Sequence, residues 1–265
     1  MSEFFTKEIS VDLWKTKAQT LFIGIKQHEE WMAKEHHFTR DMKIFGEVKE
    51  KKNGKEETIG YVGYRTSLWD DEPNELKRRL VIKLFSKSMY YQATIEEIVG
   101  REVFYKIATP KQFPSFTVIL DKFSYLVNLS KVRGGKFVPE WFSFRFDGDN
   151  KLGFFPVILK TKFRLGHDFR IVKAIGNKEI GFIDWKVLDI GGRFIIKLHG
   201  EDKNIIDNKE LQRILILFGS TVKFHSEIER KVKSISKQIM DGTLNFKLDD
   251  DELDLRMNPR SILRK

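Results

Sequence analysis

Lysine and arginine side chains gather in three short stretches, and two of these are the candidate binding sites of the chain. The first candidate stretch contains Lys160, Lys162, Arg164, Arg170 and Lys173. The second contains Lys131, Arg133 and Lys136. The third runs through Lys77, Arg78, Arg79, Lys83 and Lys87. Because ammonium and guanidinium groups bind oxyanions by charge and hydrogen bonding, the pattern predicts a surface for a phosphate-bearing partner.

The sequence lacks the signatures of the common catalytic and metal-binding classes. It has no cysteine, which excludes disulfides, thiolate metal sites and a cysteine nucleophile. It has neither a glycine-rich phosphate loop nor a G-x-S-x-G elbow. His36 and His37 are adjacent, and neighbouring side chains diverge in a regular helix or strand, so we expect no shared metal ion. We therefore predict a non-enzymatic protein without a metal or another cofactor.

The chain as a whole is basic, with a formal net charge of +10. This charge favours anionic lipid, nucleic acid or an acidic protein as partner. The first residues lack the basic start and apolar stretch of a signal peptide, and the longest apolar run covers only 214–218. We expect a cytoplasmic protein that would reach a membrane only peripherally.

Helical spacing marks the N-terminal part of the sequence. The apolar residues that follow this spacing are Trp14, Ala18, Leu21, Phe22, Ile25 and Met32. We assign 1–37 to an N-terminal amphipathic helix. Such a helix would pack on the following domain, bind a protein partner or lie on a membrane surface.

From about Lys43 to Leu198 the pattern changes to short runs of β-branched and aromatic residues. Turn residues separate these runs, including 52–54, 148–150 and 176–177, where asparagine and glycine accept positive φ angles. This alternation is typical of many short antiparallel strands.

An internal repeat links the two ends of this β region. The segment 59–65 resembles 180–186, 79–84 resembles 193–198, and 41–44 resembles 168–171, in the same order. Two weaker copies lie between them, and one would place a strand at 100–107. Four units of three strands predict about twelve strands. Closing these strands into a barrel removes the sheet edges but leaves a wide interior.

A helix that begins with a capping box at Asp207 and Glu210 supplies a filler for that interior. Its apolar residues surround most of its circumference from Leu211 to Phe218. The remainder, 226–265, is predicted as a charged helix and a mobile tail, whose acidic cluster is a second candidate for a protein partner.

The sequence resembles the tubby-like superfamily, in its branch of LURP-one-related proteins and phospholipid scramblases. The resemblance rests on 165–171, 178–186 and 194–198 and covers about 38–225. It implies a twelve-stranded antiparallel barrel around a hydrophobic C-terminal helix, with anionic phospholipid headgroups as first ligand. The cysteine-rich stretch, calcium loop and membrane anchor of scramblases are missing from this sequence, so scramblase activity is not expected.

A weaker resemblance, to the PilZ domains that bind cyclic di-GMP, remains as an alternative. Segments 128–134 and 189–192 echo the PilZ turn, and two PilZ-like barrels in tandem would also explain a repeat. The paired arginines that clamp the dinucleotide are missing upstream of both turns. Nucleic acid is a further alternative, which would require exposed aromatic side chains beside the basic groups.

Overall fold

A computed structural model describes residues 4–14, 25–109, 114–121, 126–135, 138–147, 154–161, 168–186 and 192–257. The strands are β1 (Phe5–Leu13), β2 (Met42–Lys52), β3 (Lys55–Arg65), β4 (Val81–Ser86), β5 (Tyr91–Glu97), β6 (Ser115–Leu120), β7 (Val127–Gly135), β8 (Val138–Asp147), β9 (Phe154–Thr161), β10 (Phe169–Lys173), β11 (Lys178–Lys186) and β12 (Arg193–Gly200). The helices are α1 (Ile25–Lys34), α2 (Thr66–Trp69), α3 (Val99–Ala108), α4 (Lys203–Ile206), α5 (Lys209–Thr221), α6 (His225–Met240) and α7 (Asp250–Met257).

The twelve strands form one closed antiparallel barrel, which confirms the predicted fold class. Each strand pairs with its neighbours in sequence, and β1 closes the ring by pairing with both β12 and β2. Burial alternates in β12, where every second side chain is buried, whereas β4 and β6 are buried on both faces. A period of two is what a strand requires when one face packs on a core and the other meets solvent.

The structure confirms two of the three turns that the sequence predicts. The β2–β3 hairpin turns through Asn53 and Gly54, with φ angles of 50° and 78°. The β10–β11 connection turns through Gly176 and Asn177, with φ angles of 77° and 48°. The third predicted turn, at 148–150, lies outside the described residues.

The strongest repeat corresponds to two equivalent three-stranded units, β2–β4 and β10–β12. Gly60 of β3 and Gly181 of β11 occupy matching places in them. A Cβ atom on either glycine would lie 2.3 Å from a backbone oxygen of the next strand, that of Phe85 or Lys197. Because no side chain fits at that distance, the shared glycine reflects a shared close approach of strands.

Two secondary-structure predictions are wrong. Within the predicted helix 1–37, Phe5–Leu13 forms β1, and the described helix α1 begins only at Ile25. The buried side chains of Ile9, Val11 and Leu13 alternate, which is a strand pattern. The barrel therefore also includes residues N-terminal to the predicted domain 38–225. The predicted strand at 100–107 lies in helix α3 instead.

Helix α5 fills the barrel, as the sequence predicts. Ten of its residues, among them Leu211, Leu215 and Phe218, are buried. The Phe218 ring centroid lies 5.0 Å from those of Phe142 in β8 and Phe169 in β10. The helix also packs against β4, β5 and β12. Strands on several sides therefore bury the whole circumference of the helix.

The helix cap differs from the predicted one. Asn208 is the N-cap residue of α5, and its Oδ1 accepts a hydrogen bond of 2.8 Å from the backbone N–H of Leu211. An asparagine satisfies the first free N–H groups as well as an aspartate does, so the start of the helix shifts by one residue.

Part of the predicted mobile tail is an ordered element docked on the barrel. Asp249 and Asp251, at the start of α7, form ion pairs with Arg79, at 3.0 Å in the case of Asp249. Glu252 accepts a 2.7 Å hydrogen bond from the backbone N–H of Gly100 in α3. The acidic cluster therefore neutralises an arginine of this same chain.

Two glutamates and a lysine are fully buried where α3 and α6 meet the barrel. Lys231 Nζ lies 2.5 Å from Glu97 Oε1, and neither side chain is exposed. Burial, together with the negative charge of Glu97, raises the pKa of Glu102 well above its ordinary value. Burial therefore favours the protonated form of Glu102, while the positive charge of Lys231 pairs with Glu97.

Phe218→Ala should lower the free energy of unfolding by about 3–5 kcal/mol, because it empties space that no neighbour can fill. Urea denaturation measures this value. Ile175→Ala, at a side chain that is 60% exposed, is the control and should stay within about 0.5 kcal/mol of the wild type. A loss below about 1 kcal/mol for Phe218→Ala would show that α5 does not fill the barrel.

Glu102→Gln should reduce the pH dependence of stability. In the unfolded chain Glu102 loses its proton above its ordinary pKa of 4.5, whereas the folded state keeps it to a higher pH. The free energy of unfolding therefore falls as the pH rises from 4.5 towards the raised pKa of Glu102 in the folded state. Glutamine has no such proton to lose, so the variant should lose less stability than the wild type as the pH rises above about 5. Urea denaturation across this range is the measurement. Glu57→Gln, at an exposed position, should retain the wild-type slope.

Candidate anion-binding surface

A row of basic and aromatic side chains crosses the outer face of β8 to β12. Cross-strand pairing places Trp141 opposite Lys160, Lys160 opposite Arg170, Arg170 opposite Phe182, and Phe182 opposite Lys197. Directly opposite residues of antiparallel strands share a face, so these five side chains form one continuous row. We call these five residues the basic-aromatic band.

The register of the strands directs the band outward. The next residues along these strands are buried: Phe142, Leu159, Ile171, Ile183 and Ile196. Successive side chains point to opposite faces of a strand, so the band residues face away from the core. Four strand spacings of about 4.8 Å make the band roughly 19 Å long.

Contacts within the band combine each aromatic ring with a cation. Lys160 Nζ lies 4.8 Å from the ring centroid of Trp141, and Lys197 Nζ lies 5.8 Å from that of Phe182. The attraction between a cation and a ring face holds such pairs together at an exposed site. The Arg170 side chain, between the two pairs, is 58% exposed.

Nearby carboxylates neutralise only part of the positive charge of the band. Glu179 lies 3.7 Å from Arg170 Nε, and Glu8 lies 3.3 Å from Lys197 Nζ. Lys160 Nζ donates a 3.1 Å hydrogen bond to the side-chain oxygen of Asn177, which is neutral. Among the described residues, three cations thus face two carboxylates, and the hydrogen-bond partner of Lys160 is a neutral amide.

The predicted candidate residues occupy different environments. Lys160 and Arg170 belong to the band. Lys173 pairs with the buried Val157, and its Nζ lies 4.6 Å above the ring of Phe155, so it is on the other face of β10. Lys162, Arg164 and Lys136 lie outside the described residues. Arg133 pairs with Trp141 through the backbone, but the structure does not describe its side chain.

Lys131 belongs to the structural framework instead of an open binding surface. Its side chain is only 8% exposed. It forms ion pairs with Glu140 and, at 3.6 Å, with Glu229 of α6. The lysine thereby ties α6 to the barrel wall, and its charge is engaged inside the fold.

Two residues of the third basic stretch, Arg79 and Lys83, also turn inward, whereas Lys77 and Lys87 are exposed. Arg79 is paired with acids, and Lys83 lines a pocket of about 60 Å³ with His37, Arg65 and Tyr91. Burial, with the neighbouring charge of Arg65, lowers the pKa of Lys83 to about 8. The pocket has room for a few water molecules but not for a phospholipid headgroup.

Sequence reasoning missed Trp141 and Phe182 because it assigned most aromatic residues to the core, and it missed Lys197 because this lysine lies outside the three basic stretches. The repeat contained a usable signal. Phe182 stands between Gly181 and Ile183, which are both buried, so the strand period places its ring on the outer face. Which outward residues of different strands become neighbours depends on register, which the sequence leaves open.

Comparison with known proteins found no match among family models, curated proteins or solved structures. Within the described part of the chain, no helix combines the length and the apolar character needed to span a bilayer.

Lys131→Met should lower the free energy of unfolding by about 1–3 kcal/mol, because it removes a largely buried charged hydrogen-bond donor. Arg170→Met, at an exposed position, should change it by less than about 0.5 kcal/mol. Urea denaturation of the two variants separates the structural lysine from the band. Equal losses in both variants would contradict this division.

Proposed function

We propose that this protein is a non-enzymatic module that attaches reversibly to anionic phospholipid surfaces through its basic-aromatic band. The observation that carries the proposal is the cross-strand row itself, in which Lys160, Arg170 and Lys197 alternate with Trp141 and Phe182. The resemblance to the tubby-like superfamily leads to the same class of ligand.

The residue types of the band suit a membrane interface. Indole and phenyl rings settle at the level of the headgroups, while long basic side chains bury their stems and keep the charge in water. Each Lys or Arg near an anionic membrane contributes about 1 kcal/mol, so three of them provide at most about 3 kcal/mol, reduced by the carboxylates of Glu179 and Glu8. This amount supports attachment that is reversible and sensitive to salt.

The filled interior argues that binding takes place at the outer surface. A large barrel can hold an apolar ligand only where its lumen is free, and here α5 fills it. The headgroup, and not the acyl chain, is therefore the part of the lipid that the band would contact.

The shape of the surface favours a membrane over single-stranded nucleic acid. Nucleic-acid chains bind in positively charged grooves whose walls stack on the bases. The band instead lies on the convex outside of a barrel. The single closed barrel also offers none of the geometry of two PilZ-like barrels in tandem.

The double charge reversal Lys160→Glu/Arg170→Glu tests the proposal. Flotation with vesicles that contain phosphatidylserine should show binding of the wild type, and neutral phosphatidylcholine vesicles should show none. The variant should bind the anionic vesicles at least tenfold more weakly, because two attractive charges become repulsive. Lys52→Glu/Lys55→Glu makes the same change in net charge on the β2–β3 hairpin, outside the band, and should lose less than threefold.

Three results would overturn the proposal. These are equal binding to the two kinds of vesicle, no binding to either, and equal losses in the two double variants. A single-stranded oligonucleotide serves as competitor. If it binds through the band while the vesicles do not, the surface is a nucleic-acid site.

A further inference from the structure

The turn between α1 and β2 brings three metal-binding side chains together. The polar atoms of Glu35, His36 and His37 all lie within 4.8 Å of one another. The sequence argument against a shared metal assumed regular structure. However, His36 and His37 lie in a turn, and their ring centroids are only 3.8 Å apart.

We propose that Glu35, His36 and His37 form a binding site for a divalent first-row transition metal ion, with Zn²⁺ as the ion that fits the ligand set. Imidazole nitrogens and a carboxylate oxygen are common ligands of this ion. The site lies outside the basic-aromatic band and is independent of the proposed lipid binding.

Distances within the cluster are close to those of a tetrahedral site. Metal–ligand bonds of about 2.0–2.1 Å separate the ligand atoms of a tetrahedron by about 3.4 Å. Glu35 Oε1 lies 3.4 Å from His36 Nδ1 and 2.8 Å from His37 Nδ1. Of these two distances, one already matches and the other requires a hydrogen bond to open by roughly 0.6 Å, while the ligand atoms of the two histidines lie within 4.8 Å of each other.

Strand β5 holds two of the three ligands in place. The backbone N–H of Tyr91 donates a 3.0 Å hydrogen bond to Glu35 Oε2, which leaves Oε1 directed towards the histidines. The Tyr91 ring stacks on His37, with centroids 3.9 Å apart. Such outer contacts orient ligands before the metal arrives. His36 is 68% exposed and can adjust its ring to complete the site.

The proton of His37 also has a place to go. The Nδ1–H of His37 donates to the Glu35 carboxylate, so this nitrogen must give up its proton to bind a metal. His37 Nε2 is buried and has no hydrogen-bond partner among the described residues. The proton can therefore shift from Nδ1 to Nε2, although the buried Nε2–H then lacks an acceptor among these residues, and this cost lowers the affinity of the site.

One neighbouring charge limits the affinity of the site. Lys83 Nζ donates a 2.9 Å hydrogen bond to the backbone oxygen of His37, so a cation already lies near the metal position. The exposed side of His36 faces away from the core and leaves a fourth coordination position to water. The three protein ligands and an open position are the arrangement of an accessible zinc site.

Isothermal titration of the full, tag-free chain with Zn²⁺ tests the proposal. The wild type should bind one equivalent of Zn²⁺ with a dissociation constant in the micromolar range or below. His36→Ala should weaken binding at least tenfold without loss of the fold, because His36 is exposed. His199→Ala removes a histidine that lies 3.9 Å from only one glutamate, Glu179, and should leave binding unchanged.

A second variant, Glu35→Gln, keeps the shape of the side chain and should also lose at least tenfold. Three results would overturn the proposal: no Zn²⁺ binding by the folded wild type, binding that His36→Ala leaves unchanged, or one Zn²⁺ shared by two chains. Thermal unfolding of each variant without metal verifies that any loss of binding is not a loss of the fold.

Discussion

The packing of α5 inside the barrel is the interaction on which the rest of the structure depends. A ring of twelve strands encloses more space than strand side chains can fill, so the closed sheet is stable only around an apolar object. Phe218, between Phe142 and Phe169, and Gly219, where a Cβ atom would lie 2.4 Å from the ring of Phe194, show how closely the wall meets the helix. The helix in turn buries its whole circumference only because strands surround it.

This filled interior determines where ligands can bind. With the lumen occupied, recognition is left to the outer face of the barrel, the turns at its ends and the helices that pack on it. Antiparallel register then decides which outward side chains become neighbours, and it brings together Trp141, Lys160, Arg170, Phe182 and Lys197 from five strands. The docked acidic residues of α7 have the opposite effect, since they neutralise Arg79 within the fold.

Sequence patterns were sufficient for the barrel and its central helix. Each of these features leaves a pattern within a few consecutive residues: alternating apolar residues in the repeated strands, glycine at turns with positive φ angles, and apolar residues on all sides of a buried helix. Strand β1 was missed because the helical spacing of the apolar residues from Trp14 to Met32 is longer than the strand alternation of Ile9, Val11 and Leu13, and the whole segment was assigned to the longer pattern. The band, the inward position of Lys131 and the meeting of His36 with His37 depend on register, on tertiary ion pairs and on turn geometry. Short-range patterns in a single sequence carry no information about strand register, distant ion pairs or turn geometry.

Amide hydrogen exchange of the native protein tests the central claim, that α5 is the core of the barrel, most directly. Residues buried in a shared core exchange only when the whole domain unfolds. The amides of Ile214 to Phe218 should therefore exchange with the same free energy of opening as the slowest amides of β4, β5 and β12. If these α5 amides exchange through a local opening of lower free energy while the strands stay protected, the helix is an appendage and the barrel has another source of stability.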